Sequence, residues 1–393
     1  MKRIYLDHAA TTALDSRVLE KMMPYFTEIY GNANSQHSFG VQAQEAVIAA
    51  RKQIADIIGA HPSEVYFTSG GTEADNWALR GTAHAYKDKG KHMIISKVEH
   101  AAMLSTAKEL EKEGFEFSYI DVDENCTVDI NKLKAEIRPD TIFIGCMYAN
   151  NEVGTIEPVE EIAKLANEHG IVFFTDAVQA MGVIDINVKK LGVDLMSFSA
   201  HKFNGPKGVG ALYIRNGLKL GKIITGGHQE RTRRGGTTNV PGVVGFAEAL
   251  RLTRETMEKD NEYVRSLRDT FISRVENEIG DVKLNGEREK RLPGNADFSF
   301  HFIEGESILM RLDLSGIAVS SGSACSSGSL DPSHVLLAMG IPAEFAHGSI
   351  RFSFGKDNTM EEVNYTVDKL KEIVTKLREM SPLFKLESEV KNV

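Results

Sequence analysis

Hydrophobic and polar residues alternate between two periods over the first 215 positions of the chain. In the helical segments, apolar residues recur three and four positions apart, as Val47, Ala50, Ile54 and Ile58 do. Short apolar runs with strand composition separate these segments, at 65–67, 93–95, 117–120, 142–144, 171–174 and 195–198, with a further strand at 210–215. Strands that alternate with helices predict βαβ units and a mostly parallel sheet, and continuous apolar strands indicate a sheet covered on both faces.

The pattern changes after Gly242. A long helical stretch follows at 243–278, and its charged segment at 258–262 is expected to break the helix in the middle. Beyond it the pattern predicts strands at 297–302 and 349–354 and helices at 307–312 and 360–377. We interpret this region as a second, smaller α/β domain.

Composition argues against several classes of protein. The chain has 393 residues, 42% of them hydrophobic and 26% charged, which is typical of a globular protein. With 46 basic and 55 acidic residues the net charge is −9, which argues against nucleic-acid binding. Three cysteines without a C-x-x-C pair indicate neither a disulfide framework nor a zinc site. The sequence shows no signal peptide and no apolar run of membrane-spanning length, so we expect a cytoplasmic protein without metal or membrane contact.

The loop at 68–73, Thr-Ser-Gly-Gly-Thr-Glu, lies between a predicted strand and a helix that begins near Thr72. Glycines there let backbone N–H groups approach a phosphate at the helix N-terminus, and the Thr72 hydroxyl can add a hydrogen bond. The alternative is a plain loop in which Thr72 caps the helix. The loop lacks the lysine of a P-loop and the glycine spacing of a dinucleotide fold, so neither motif applies.

Two charged residues end neighbouring predicted strands. Asp176 follows a buried apolar run, where a carboxylate costs free energy unless it is paired, and a pyridinium N–H would supply that partner. Lys202 ends the next strand, and a lysine that forms a Schiff base must be partly desolvated. Taken alone, Lys202 reads as a solvated surface lysine. Together with the glycine loop, the two residues match the requirements of pyridoxal phosphate (PLP).

Three further residues are candidates for the chemistry. His100 ends the strand that is predicted to start near Met93, and it can stack on a pyridine ring or transfer protons, although a lone histidine at a strand end is usually only hydrogen-bonded. Arg351 can hold a carboxylate bidentately, or it forms an ordinary cross-strand ion pair. Cys325 lies among serines and glycines in the loop 320–330, which suits a mobile nucleophile, whereas Cys146 has the apolar neighbours of a core residue.

These segments resemble the NifS/IscS-type cysteine desulfurases, which are fold-type-I PLP enzymes of the class-V aminotransferase family. The similarity covers nearly the whole chain, and its most specific part is Ser199-Ala200-His201-Lys202 joined to Ser320-Ser321-Gly322-Ser323-Ala324-Cys325. The cysteine loop is similar to the subgroup with a long, flexible loop. The matching segments are 5–12, 31–32, 37–40, 68–76, 98–100, 150–154, 176–179, 199–202, 233–242, 320–327 and 351–353.

The resemblance implies a role for each matched residue. Lys202 would hold the cofactor and move the Cα proton, Asp176 would pair with the ring nitrogen, and His100 would stack on the ring. Cys325 would take the sulfur. Gly71, Thr72, Ser199 and His201 would bind the phosphate, together with Thr237 from the partner subunit. Gln179 and Asn151 would lie near the ring hydroxyl or the substrate carboxylate. Arg351, with Asn151, would bind the substrate carboxylate.

The resemblance also implies the domain division and the activity. We expect a large PLP-binding domain at 14–255 and a small domain formed by 1–13 and 256–393, which carries the cysteine loop. The expected reaction converts L-cysteine to L-alanine and a Cys325 persulfide, whose sulfur passes to an iron–sulfur scaffold protein or another acceptor. A homodimer is implied. An aminotransferase or carbon–carbon lyase, a selenocysteine lyase, and a binding protein that has lost catalysis are the alternatives.

Overall fold

The computed structural model describes residues 3–321, 332–382 and 384. Within them, seven strands form one sheet in the order β2-β8-β7-β6-β5-β3-β4. The strands are β2 (Val65–Thr68), β3 (His92–Ser96), β4 (Glu116–Ile120), β5 (Thr141–Gly145), β6 (Val172–Asp176), β7 (Leu195–Ser199) and β8 (Gly210–Ile214). Strands β3 to β7 pair in parallel, and β8 is antiparallel to both β7 and β2. The predicted mostly parallel sheet is confirmed.

Two separate hydrophobic cores cover the two faces of this sheet. Ile94, Ile144 and Phe173 face one core, while Met93 and Phe143, one position earlier on their strands, face the other. This alternation with a period of two residues explains why the strands read as continuous apolar runs. The helices of this part of the chain are α1 (Ser16–Met22), α2 (Pro24–Thr27), α3 (Ser38–Ile58), α4 (Gly71–Tyr86), α5 (Ala101–Lys112), α6 (Ile130–Ala135), α7 (Val159–Glu168) and α8 (Val188–Leu191).

A third core lies under a smaller sheet. Strands β9 (Val282–Asn285), β10 (Asn295–Phe300) and β12 (Ser349–Ser353) pair antiparallel in the order β12-β10-β9. The N-terminal strand β1 (Ile4–Tyr5) pairs in parallel with β11 (Ile317–Ala318), and Ile4 joins this third core. The helices here are α10 (Gly305–Leu314), α11 (His334–Ala338), α12 (Ala343–Ala346) and α13 (Met360–Met380). The domain boundaries at 13/14 and 255/256 stay a prediction.

Helix α9 (Val240–Glu278) connects the cores without interruption over 39 residues. Its first half buries residues such as Phe246 in the core under the large sheet, and its second half buries Phe271 in the core under the small sheet. The expected break at 258–262 is wrong. Glu258, Lys259 and Glu262 are exposed to solvent, and glutamate and lysine favour the helical conformation, so a charged segment does not end the helix.

Candidate active site

The candidate residues meet at one edge of the large sheet, where the parallel strands have their carboxyl ends. Asp176 is the last residue of β6, and its register partner on β7 is Ser197. Ser199 ends β7, and a single 3₁₀ turn, Ala200–Lys202, carries the chain on to Lys202. Ligands bind at this edge in open α/β sheets. The short turn explains how the sequence brings Lys202 to the same place as Asp176.

A recess lies at the N-terminus of α4. Gly70 is the N-cap residue, so the alternative in which Thr72 caps the helix is wrong, and backbone N–H groups of the first turn face outward. A Cβ atom at Gly71 would lie only 2.8 Å from Val178 Cγ2, so a larger residue there would force the Val178 side chain to move. The lining residues include Thr11, Ser69, Gly70, Gly71, Thr72, Glu73, Ser199, His201, Lys207 and Gly208.

Glu73, the one acid among the described residues that line this recess, is paired with an arginine. Glu73 accepts two hydrogen bonds from Arg234, at 2.8 and 2.9 Å, so its carboxylate is neutralised by a guanidinium. The His201 ring contacts the Thr11 hydroxyl through Nδ1 at 3.0 Å. Burial, together with the charges of Lys202 and Lys207, lowers the pKa of His201 to about 4, so its ring is neutral at pH 7. A bound phosphate would meet N–H groups, hydroxyls and Lys207 rather than a free carboxylate.

The amine of Lys202 is held by the segment that follows β1. Its Nζ donates hydrogen bonds to the carbonyl oxygens of Ala9, at 2.5 Å, and Ala10, at 2.9 Å. Gln179 Nε2 also donates to Ala9 O, at 2.9 Å. The side chain is half-buried rather than fully solvated, so the reading of Lys202 as an ordinary surface lysine is wrong. The lysine is partly desolvated, as an amine that must lose its proton requires.

Asp176 is buried, with 6% of its surface exposed. Its Oδ1 accepts a hydrogen bond from the backbone N–H of Val178 at 2.8 Å. Burial raises the pKa of Asp176, and its electrostatic interactions with His100 and Lys202 oppose that rise. A further cation at this carboxylate would favour its ionised form. A protonated ring nitrogen is such a cation.

The prediction that His100 ends a strand is wrong, because β3 ends at Ser96. It is instead the N-cap residue of α5, where its Nδ1 accepts a hydrogen bond from the backbone N–H of Ala102 at 3.1 Å. This bond assigns the neutral tautomer with the proton on Nε2. The cap fixes the ring in one orientation beside Asp176.

Arg351 lies on β12 and is buried. Its guanidinium donates to the carbonyl oxygen of Asn151 at 2.7 Å and to Asp7 Oδ1 at 3.0 Å. The alternative role of Arg351, an ordinary ion pair, is therefore present. Its partner is Asp7 rather than a residue across the sheet. The register partner of Arg351 across the sheet is Asp297. Arg351 also exchanges two backbone hydrogen bonds with Ser320, so it lies beside the start of the cysteine loop.

Comparison with known proteins decides the family. Residues 4–366 match the family model "Aminotransferase class-V". The chain belongs to the class-V aminotransferase family. It is 55% identical over 383 residues to "Cysteine desulfurase IscS" of Dictyoglomus turgidum, covering 97% of both chains. It is 50% identical to "Cysteine desulfurase IscS" of Methanosarcina thermophila over 382 residues, which is 97% of this chain and 94% of that protein.

Solved structures agree with this class-V assignment. A structure described as a "NIFS-LIKE PROTEIN" superposes with a TM-score of 0.90 at 39% identity and covers 96% of this chain and 100% of its own. A NifS-like protein from Rickettsia africae gives a TM-score of 0.85 at 29% identity over 95% of this chain and 99% of that one. The predicted fold type I and the predicted resemblance to NifS/IscS-type proteins are confirmed.

PLP is the cofactor of class-V aminotransferases, and that prediction is confirmed for this member. The residues fit it. The glycine recess at α4 suits a phosphate, the buried Asp176 carboxylate suits a protonated ring nitrogen, and the half-buried Lys202 amine suits a covalent link to the cofactor aldehyde. All three lie at the same sheet edge.

Two predicted residues are not gathered with the others. Thr237 is exposed and is not among the described residues that line the recess of its own chain. Cys325 lies outside the described residues. The other two cysteines, Cys126 and Cys146, are both buried, and burial raises the pKa of each thiol well above its usual value. The core position expected for Cys146 is confirmed.

Some residues of the site were missed by sequence reasoning. Ala9 and Ala10 hold the lysine through backbone carbonyls, Asp7 pairs with Arg351, and Arg234 neutralises Glu73. Asp7, Ala9 and Ala10 fall inside the matched segment 5–12, and Arg234 falls inside the matched segment 233–242. Those matches were the available signal, but no chemistry in the sequence assigned these residues a partner.

The described residues include neither a membrane-spanning helix nor a metal-binding cluster. No helix within 3–321 or 332–382 combines the length and apolar character needed to cross a membrane. Over the same ranges, no three histidine, cysteine, aspartate or glutamate side chains gather in the way that would hold a metal ion.

Proposed function

We propose that this class-V protein is a cysteine desulfurase that removes sulfur from L-cysteine, releases L-alanine and carries the sulfur as a persulfide on Cys325. The proposal rests on the position of Arg351. It lies beside the PLP site and pairs through its backbone with Ser320 at the start of the cysteine loop. The names of the relatives support the same activity. Release of sulfide and alanine from L-cysteine by the purified holoenzyme is the direct test.

Within the cofactor site, we assign each residue the role that the resemblance implies. The recess residues Gly71, Thr72, Ser199 and His201 bind the phosphate. Asp176 would pair with the ring nitrogen, and Gln179 would contact the ring hydroxyl. His100 stacks on the ring in the orientation that its N-cap hydrogen bond fixes. When bound, PLP supplies an electron sink for negative charge that develops at the substrate Cα.

Lys202 links the cofactor and then moves a proton. An amine that accepts the Cα proton must be neutral when it acts. The carbonyl oxygens of Ala9 and Ala10 keep the amine in place when it is not bonded to the cofactor. The lysine therefore has a defined position in both states.

The sulfur transfer is assigned to Cys325. Its thiolate attacks the substrate sulfur, so that an S–S bond forms while the Cβ–S bond breaks. The electron pair from the broken bond takes up a proton and ends in the methyl group of alanine. Atoms and electrons balance without an added oxidant.

The described flanks of the cysteine loop support this role. On one side, Ser320 pairs with Arg351. On the other side, Ser333 donates to Glu152 Oε2 at 2.5 Å, and His334 Nε2 contacts the carbonyl oxygen of Glu99, the residue before His100. Both ends of the loop are thus fixed close to residues of the site. Cys325 follows Ser321 by four positions, which a chain can span over at most about 14 Å.

Arg351 binds the substrate carboxylate, with Asn151 beside it. Arg351→Lys keeps the charge but loses the planar fork, so we expect KM for L-cysteine to rise on the order of 10- to 100-fold. Steady-state kinetics measure this, and the spectrum of bound PLP should be unchanged. The matched control is Asp7→Asn, which removes the observed ion pair but not the fork. An equal rise in KM for Asp7→Asn would show that the ion pair, and not carboxylate binding, is what the lysine variant disturbs.

We further propose a homodimer. Large apolar side chains are exposed along the N-terminal helices, including Leu19, Met23, Phe26, Tyr30 and Phe39, with 44–65% of their surfaces accessible. Clustered exposed apolar residues are typical of an interaction surface. Thr237, which lies outside the recess of its own chain, then completes the phosphate site of the partner subunit.

A mixing experiment tests the shared site. Thr237→Val should weaken PLP binding about 10-fold or more, because a hydrogen bond to a charged group is lost. Co-refolding equal amounts of the Lys202→Ala and Thr237→Val chains should restore wild-type affinity in about a quarter of the sites, since only mixed dimers hold one intact site. PLP titration with activity as readout measures the recovery. Unchanged affinity in Thr237→Val, or a monomer by sedimentation, would contradict the shared site.

The sulfur acceptor and the compartment are also proposals. An iron–sulfur scaffold protein or another acceptor receives the sulfur from Cys325. A cytoplasmic location remains the prediction from the low cysteine content.

A further inference from the structure

Three carboxyl groups lie buried together beneath the cofactor site, although the reaction uses only one of them. Asp75 on α4 is 1% exposed, Asp176 is 6% exposed, and Glu99 is fully buried. Glu99 accepts hydrogen bonds through Oε1 from the Ser96 hydroxyl, at 2.6 Å, and from the Met147 N–H, at 2.7 Å. Asp75 Oδ1 has no hydrogen-bond partner among the described residues.

The fold explains why Asp75 faces Asp176. Asp75 lies four residues after Gly71 on α4, so it occupies the same helix face one turn further from the phosphate recess. Ser197 lies two residues before Ser199 on β7, so both side chains point to the same side of the sheet. Ser197 is also the register partner of Asp176. The helix turn and the strand pairing together bring Asp75, Ser197 and Asp176 into one cluster.

Ser197 interacts with both aspartates. Its Oγ is 3.4 Å from Asp176 Oδ1, longer than the usual O–H···O distance of about 2.5–3.0 Å. The Ser197 side chain also interacts with the Asp75 carboxyl group, and donation of the Ser197 proton to an ionised Asp75 would oppose the rise in the pKa of Asp75. A hydroxyl has one proton to donate and can accept another. The Ser197 hydroxyl can therefore accept a hydrogen bond from a protonated acid and donate its own proton to a carboxylate.

The surrounding charges decide which acid is neutral. Burial and the neighbouring Asp176 charge raise the pKa of Asp75 well above its usual value, and burial raises the pKa of Glu99 to about 7. Lys202 lowers the pKa of Asp176, and His100 lowers the pKa of both Asp176 and Glu99. Buried like charges cannot all ionise without a large cost, so the negative charge belongs on Asp176.

We propose that Asp75 is a positioning residue that stays protonated and, through the Ser197 hydroxyl, holds Asp176 in the orientation and ionisation state that keep the PLP ring nitrogen protonated. The hydrogen-bond chain runs from the Asp75 carboxyl proton to Ser197 Oγ, and from the Ser197 hydroxyl proton to Asp176. Asp75 does not touch the cofactor. Its effect on the reaction passes through Asp176.

The direct test is nitrogen NMR of the holoenzyme reconstituted with ¹⁵N-ring-labelled PLP. Asp75→Asn keeps a neutral donor, so the ring nitrogen should stay protonated and PLP affinity should change less than about threefold. Asp75→Leu removes the donor, so we expect the pH at which the ring nitrogen loses its proton to fall by about one unit, a tenfold change in the equilibrium. PLP affinity should fall about tenfold. Thr82→Val, which alters another buried hydroxyl of α4 that bonds within the helix, should change neither property.

The route through Ser197 is tested by a double-mutant cycle. Asp75→Leu combined with Ser197→Ala should weaken PLP binding no more than either variant alone, because both break the same chain. Additive losses would overturn the route through Ser197. Equal effects of Asp75→Asn and Asp75→Leu, with the ring nitrogen easier to protonate in both, would overturn the proposal by showing that Asp75 is ionised.

Unfolding of the enzyme without PLP gives an independent readout. An acid with a raised pKa in the folded state binds its proton more tightly there than in the unfolded chain. Its stabilisation is present at low pH and is lost as pH rises above the unfolded pKa. The Tm of Asp75→Asn minus that of wild type should therefore increase between pH 5 and pH 8. A constant difference over this range would contradict a protonated Asp75.

Discussion

Lys202→Ala should lose measurable turnover of L-cysteine, by a factor on the order of 10³ or more, because it removes both the covalent link to PLP and the group that moves the Cα proton. PLP should still bind, since the phosphate recess and Asp176 are unchanged. Its absorbance near 420 nm should be replaced by that of the free aldehyde form. Activity assays and absorbance spectra of the purified variant measure both effects.

The matched control is Lys207→Ala. Lys207 lines the same phosphate recess but is exposed, so its loss should weaken PLP binding without abolishing turnover. Borohydride reduction of wild type followed by peptide mapping should place the label on Lys202. Label on Lys207, or substantial turnover by Lys202→Ala, would overturn the assignment of the reactive lysine.

The sequence predicted those parts of the site that depend on local rules. Asp176 and Lys202 each end an apolar run, and the carboxyl ends of parallel strands share one sheet edge, so their proximity followed from the fold class. The phosphate recess at Gly71 followed from glycines before a helix N-terminus. In these cases a few neighbouring residues determine both the conformation and the position of the functional group.

Contacts between distant segments could not be predicted in this way. The carbonyl oxygens of Ala9 and Ala10 hold an amine more than 190 residues away, and backbone carbonyls carry no signal in the sequence. The pairing of Arg351 with Asp7 depends on how β12 packs beside the N-terminal segment. The sequence marked Arg351 as a candidate but carried no signal that Asp7 is its partner.

The burial of charged residues was also not predictable from the sequence. Asp75 and Glu99 read as ordinary polar residues of a helix and a loop, because a sequence shows an acid but not its solvent exposure. Their environment arises only when α4 and the loop after β3 close over the strand ends. The expected break in α9 failed for the converse reason: its charged segment is exposed and stays helical.

The thiol assignment separates a desulfurase from an aminotransferase, because transamination has no use for a nucleophilic cysteine. Cys325→Ser should keep the PLP spectrum and the spectral change on adding L-cysteine, since Lys202, Asp176 and Arg351 are untouched. Sulfide release should fall by a factor on the order of 10² or more, because a serine hydroxyl is a far weaker nucleophile towards sulfur. Sulfide assays and absorbance spectra of the holoenzyme measure these outcomes.

Mass spectrometry locates the sulfur on the wild-type enzyme. After reaction with L-cysteine, the peptide that contains Cys325 should gain about 32 Da, one sulfur atom, and a reductant should remove it. Cys126→Ala and Cys146→Ala are the matched controls, and both should still form the persulfide. Both thiols are buried, and burial raises their pKa, so neither supplies a thiolate at neutral pH. Wild-type turnover by Cys325→Ser, or the added mass on Cys126 or Cys146, would refute sulfur transfer through Cys325.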